Sequence, residues 1–123
     1  MSQFAEVCRE YGVGTMHGDR YGGLFSVEAA TRHGVNYTTV EQSKSNFYKD
    51  LLPILTSGKA ELLEHTRLIN QLCGLERRTA RSGNDSIDHP PGAHDDLCNA
   101  AAIAMVLAHL EVAPALWEMS DLF

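Results

Sequence analysis

The sequence is poor in cysteine and in long apolar runs, and each shortage excludes a class of protein. Cys8, Cys73 and Cys98 lie far apart, which argues against a disulfide framework and against a Cys-x-x-Cys metal site. We expect them to be small buried residues in a reducing compartment. The longest apolar run, residues 100–108, has nine residues, whereas a helix needs roughly 20 to cross a bilayer. We therefore predict no membrane contact and, because the N-terminus lacks the zones of a secretory signal, a cytoplasmic protein.

Positive charge is also scarce. Ten Lys and Arg residues against 16 Asp and Glu give a net charge of −6. Because DNA affinity comes largely from neutralising phosphates, any DNA contact needs a local basic patch. The candidate residues are Arg20, Lys59, Arg77, Arg78 and Arg81, and the alternative is an ordinary solvated hairpin face. A Walker A motif is absent, so ATP hydrolysis is not expected.

The remaining composition is that of an ordinary folded chain. With 123 residues and 44% hydrophobic residues it can bury one small core. Apolar spacing, capping residues and glycines predict alternating helices and strands. Helices are predicted over 4–11, 26–33, 43–57, 66–75 and 94–111, and strands over 13–16, 35–40, 60–63, 76–81 and 86–89. This order indicates an α/β fold, in which a helix joins sequential parallel strands.

Three aspartates are the candidates for chemistry. Asp19 follows a short apolar strand in a glycine-rich turn, and open α/β sheets bind ligands at that end. Asp95 and Asp96 open the last long helix. Turn formation and helix capping are the alternative roles. Carboxylates from separate elements suit magnesium, although two-metal cleavage of a phosphodiester usually needs at least three.

Histidines leave a further alternative open. His17 or His94 could act as a metal ligand or as the base of a small-molecule enzyme, but an exposed histidine is more often simply polar. The sequence places no serine or cysteine nucleophile beside either one.

Several short motifs together resemble a known family. They are HGDRYGG (residues 17–23), KSNFY (44–48), LINQL (68–72), LERRT (75–79) and HDDLCNA (94–100). In this order and spacing they closely resemble the nuclease domain of the phage terminase large subunit, the DNA-packaging motor protein. The resemblance extends from residue 4 to about residue 108.

The resemblance implies a ribonuclease H-like fold that binds two Mg²⁺ or Mn²⁺ ions and cuts concatemeric viral DNA during packaging. The family's second acidic ligand falls on Asp19 and its last acidic motif on Asp95 and Asp96. Asp96 is favoured as the ligand because Asn99, one turn later, resembles the second ligand of related resolvases.

The family's first catalytic aspartate lies on a strand upstream of the first residue here. The resemblance therefore implies residues 1–113 as the C-terminal portion of the nuclease domain, lacking the first three strands, with a tail over 114–123. We expect such a chain to be inactive alone. The alternative function is a non-catalytic interaction module or a decayed remnant. Expected partners are double-stranded DNA, the missing N-terminal part of terminase, small terminase, portal or a second copy of the chain.

Overall fold

The computed structural model describes residues 1–19 and 23–120, with the backbone alone for residues 111–120. Within those residues the elements are α1 Ser2–Glu10, β1 Thr15–Gly18, α2 Gly23–Arg32, β2 Asn36–Thr39, α3 Lys44–Thr56, α4 Thr66–Cys73, β3 Glu76–Thr79, β4 Asp85–Asp88 and α5 Asp96–Ser120. The chain divides into two compact units, Met1–Glu41 and Gln42–Phe123. The predicted α/β class is confirmed, while the predicted boundary at residue 113 stays a prediction.

The first unit is a small βαβ arrangement. Strands β1 and β2 pair in parallel, with Thr15 opposite Asn36, as expected for strands joined by the helix α2. Helix α2 ends before Gly34, whose φ of 77° suits a residue without Cβ. The buried apolar side chains described in this unit are Ala5, Ala30 and Val35. This core is thin, because none of the three is large.

The second unit packs α3 and α4 against α5. Helix α3 buries Phe47, Tyr48, Leu51 and Ile54 on one face. Helix α5 buries a narrow stripe of small residues at every fourth position, Cys98, Ala102 and Val106. The small side chains let the two helices approach closely.

The β3–β4 hairpin lies beside the start of α3. Its strands are antiparallel, and Gly83 at φ 83° forms the turn. The Ser45 hydroxyl accepts a hydrogen bond from Ile87 N at 3.0 Å and donates one to Ile87 O at 3.3 Å. Lys49 Nζ donates to Asp85 O at 2.8 Å. The first turns of α3 therefore satisfy the outer edge of β4.

Some sequence-based expectations were wrong. Residues 60–63 are not a strand, since they have no neighbouring strand in the described structure. Helix α3 continues through Pro53, with buried residues on both sides of it. Helix α5 runs beyond the predicted end near residue 111 to Ser120. Cys98 is buried as expected, whereas Cys73 is exposed. Within the described residues no helix is long and apolar enough to cross a membrane.

We predict that the first unit opens more readily than the second. Three small buried side chains exclude less water than the Phe47-centred core of the second unit. Amide hydrogen exchange should therefore show lower protection for α1, β1 and β2 than for α3 and residues 96–110. Equal protection in both units would contradict this expectation.

Candidate active site

Asp19 directly follows β1, in the first unit. The Tyr37 hydroxyl reaches across the strand end and donates a hydrogen bond to the carbonyl oxygen of Asp19 at 3.2 Å. Any side chain at Gly18 would collide with that hydroxyl, so the contact needs glycine there. Burial and then the negative charge of Asp19 raise the pKa of Tyr37. The backbone at Asp19 is thus fixed at the carboxyl end of β1.

Asp95 lies just before α5 and is largely buried. The ammonium of Lys44, at the start of α3, lies 2.9 Å from Asp95 Oδ2 and 2.6 Å from Asp88 Oδ1. The Asp95 side chain is only 15% exposed. Burial opposes the charge on Lys44, but its contacts with the two carboxylates outweigh that effect and raise the pKa of Lys44. Lys44 therefore ties three elements together: α3, the end of β4 and the start of α5.

Asp88, His89 and Asp95 form a cluster with the composition of a metal site. One ligand atom from each lies within 4.8 Å of the others. The Lys44 ammonium, however, contacts both carboxylates and fills the position that a cation would take between them. A positive charge already bound there opposes a second one. We therefore interpret this cluster as a structural ion-pair network.

Asp96 faces a different environment from its neighbour. Its side chain is 67% exposed and lies at the first residue of α5, where the helix dipole favours a negative charge. Gln71 Nε2 donates to Asp96 Oδ1 at 2.9 Å, and Arg67 Nη2 lies 3.1 and 3.0 Å from its two oxygens. The hydrogen bond from Gln71 lowers the pKa of Asp96, partly opposed by burial, and the charge of Arg67 adds to the lowering. Asp96 is an accessible, ionised carboxylate.

Asn99 lies one turn further along α5. Its backbone N–H donates to Asp95 O at 2.8 Å. Its side-chain Oδ1 is buried and has no hydrogen-bond partner within the described residues. An unsatisfied buried amide oxygen is unusual in folded proteins.

The arginines predicted to contact DNA are largely paired with acids. Arg77 Nη2 lies 2.6 Å from Asp85 Oδ2, and Arg78 Nη2 lies 3.2 Å from Glu76 Oε2. Arg81 is exposed in the hairpin turn. Arg20 lies outside the described residues. The exposed face of β3 thus carries arginines, but with acidic neighbours that partly offset their charge.

An open cleft of about 630 Å³ in the second unit is lined in part by Arg67 and Gln71, the two residues whose side chains contact Asp96. Its lining side chains carry no carboxylate, and they include His94 and Arg67. His17, the other candidate histidine, lies on β1 in the first unit. The two candidate histidines therefore belong to different units.

Sequence reasoning missed the residues that hold the aspartates in place. Lys44 and Gln71 lie within motifs quoted for their resemblance, yet their contacts join positions far apart in sequence, as do those of Arg67 and Asp88. No local pattern signals such pairs. Asp19 belongs to the first unit and Asp95 and Asp96 to the second, so the prediction that they share a cation stays a prediction.

Comparison with solved structures supports the resemblance at the level of the fold. The chain is similar to the large terminase nuclease from the thermophilic phage G20c, with a TM-score of 0.69 and 20% sequence identity. The match covers 82% of this chain and 56% of that one, so this chain spans little more than half of its length. No protein-family model and no curated protein matches the sequence.

We predict that Lys44→Met lowers the free energy of unfolding by about 1–2 kcal/mol, because two carboxylates lose their shared cation. The hydrogen bond from Lys44 lowers the pKa of Asp88 below its unfolded value. The stability that the Lys44–Asp88 contact contributes is fully present above the unfolded pKa of Asp, about 3.9. It is lost as the pH falls through the lower pKa that Asp88 has in the folded protein. The difference from wild type should therefore be largest near neutral pH and shrink in acid.

Urea unfolding followed by circular dichroism at neutral and acidic pH measures this difference. Lys59→Met removes an exposed lysine and serves as the control. An equal effect of the two substitutions would show that the Lys44 ion pairs do not stabilise the fold.

Proposed function

We propose that this chain contributes to the active site of a metal-dependent DNA endonuclease of the phage large-terminase type, with Asp96 and Asp19 as carboxylate ligands. The observation that carries the proposal is the accessible carboxylate of Asp96, held at the start of α5 by α4. The fold likeness to a terminase nuclease supports the reaction class. We further propose that the fold is a portion of a ribonuclease H-like domain over residues 1–113.

The donor chemistry fits Mg²⁺ or Mn²⁺. Hard divalent cations prefer carboxylate and carbonyl oxygens, which Asp96 and Asn99 offer one turn apart on α5. The unpartnered Oδ1 of Asn99 supports a cation or its bound water nearby. Bound cations would supply an activated water and stabilisation of the leaving 3′ oxygen.

Side chains around the proposed ligands would orient them and keep them ionised. Gln71 orients the carboxylate of Asp96 and helps keep it ionised, as a ligand must be. Lys44 holds Asp95 and with it the start of α5. Asp95 is accordingly assigned an anchoring role, and Asp96 the ligand role. Tyr37 keeps the backbone of Asp19 at the end of β1.

A non-catalytic interaction module is the second candidate. Sheet β1–β2 has two strands in the described structure, and unpaired strand edges favour pairing with another chain. The first unit also exposes Phe4, Tyr11, Leu24 and Phe25. On either function, the proposed partners are double-stranded DNA, other terminase or portal components, or a second copy, in the host cytoplasm.

Metal binding separates the two candidates. Isothermal titration of the full chain with Mn²⁺ should detect binding that Asp96→Asn weakens by at least about tenfold, since loss of even an outer partner of a ligand costs about 10- to 100-fold. Asp19→Asn should also weaken it. Asp50→Asn removes an equal charge from an exposed position of α3 and should change little. Absent binding, or equal affinity in Asp96→Asn, would favour the interaction module.

A second prediction concerns the arginines of the hairpin. If Arg78 and Arg81 contact phosphates, their joint replacement by Gln should reduce the slope of log affinity against log salt by about 0.9 for each lost contact. Fluorescence anisotropy with duplex DNA over a salt series measures the slope. Arg32→Gln, at the end of α2, is the single-charge control. An unchanged slope in the double variant would show that these arginines do not contact the DNA phosphates.

A further inference from the structure

Two residues of α4, one helical turn apart, hold the carboxylate of Asp96. Arg67 donates from Nη2 to both oxygens, at 3.1 and 3.0 Å. Gln71 donates from Nε2 to Oδ1 at 2.9 Å. The i, i+4 spacing places both side chains on one face of the helix.

Both atoms of the Gln71 side-chain amide, Nε2 and Oε1, make hydrogen bonds. Its Oε1 accepts hydrogen bonds from the backbone N–H groups of Leu97 and Cys98, each at 2.9 Å. These are free donors of the first turn of α5, so Gln71 caps the helix and orients Asp96 with one amide group. Movement of this side chain would lose three hydrogen bonds together.

The contact from Arg67 is held much more loosely. Its side chain is 61% exposed and borders the open cleft beside α4. Within the described residues its hydrogen bonds all go to Asp96. An exposed ion pair of this kind is weak and is screened by salt. The guanidinium nevertheless contacts both oxygens, which are the atoms that a divalent cation would coordinate.

We propose that Arg67 occupies the cation position on Asp96 and is displaced when a divalent cation binds, while Gln71 stays in place and positions the carboxylate. This inference rests on the proposed function, because it requires Asp96 to be a metal ligand. It assigns opposite effects to two neighbouring residues that contact the same side chain. Arg67 competes with the metal, and Gln71 supports it.

The test is titration of the full chain with Mn²⁺ at low ionic strength. Arg67→Gln removes the competitor and should tighten binding about two- to fivefold, the range expected for loss of an exposed ion pair. Arg67→Lys keeps a charge and should stay closer to wild type. Gln71→Met should weaken binding about tenfold, as loss of an outer partner of a ligand does. Arg32→Gln controls for the change in net charge.

The outcomes separate this inference from the proposed function. If wild type binds Mn²⁺ through Asp96 but Arg67→Gln binds no more tightly, the displacement of Arg67 by the cation is ruled out, while the metal site itself is supported. If Mn²⁺ does not bind, or binds equally to Asp96→Asn, both ideas fail. Circular dichroism reports whether each variant folds. If Gln71→Met does not fold, the two Arg67 variants still test whether the cation displaces Arg67.

Discussion

The ammonium of Lys44 is the cation around which the second unit is arranged. It lies at the first residue of α3 and contacts carboxylates at the end of β4 and just before α5. Ser45 and Lys49 on the same helix bind the backbone of β4. Removal of a partner from such a partly buried network leaves charges without compensation, which is costly. The register of the hairpin and the start of α5 therefore depend on the first two turns of α3.

This arrangement gives two adjacent aspartates different surroundings. Asp95 faces inward to Lys44, whereas Asp96 faces outward to α4. Consecutive residues at a helix start point in directions about 100° apart, so one can anchor the helix while the other remains accessible. The Asp-His-Asp cluster on the inner side has the composition of a metal site, but the Lys44 ammonium already contacts both of its carboxylates.

The two units differ in how they are stabilised. The second has a continuous apolar core between α3 and α5, while the first buries three small residues and exposes several aromatic ones. A two-stranded sheet with so little buried surface is marginal by itself. The proposed interaction surface therefore lies in the first unit, and the proposed ligands lie at the start of α5 and the end of β1.

Local patterns in the sequence determined much of this protein. Apolar periodicity located α1, α3 and α4, the turn at Gly83 located the hairpin, and the motifs in order indicated the fold of a terminase nuclease. These features depend on neighbouring residues, so they can be read along the chain. The prediction of a strand over residues 60–63 was wrong, because a strand forms only beside a partner strand from elsewhere in the chain. Only the tertiary structure decided that Lys44 holds Asp95 and that Arg67 and Gln71 hold Asp96. Those contacts join positions some 25 to 50 residues apart, and their distances are set by helix packing, which no local spacing encodes.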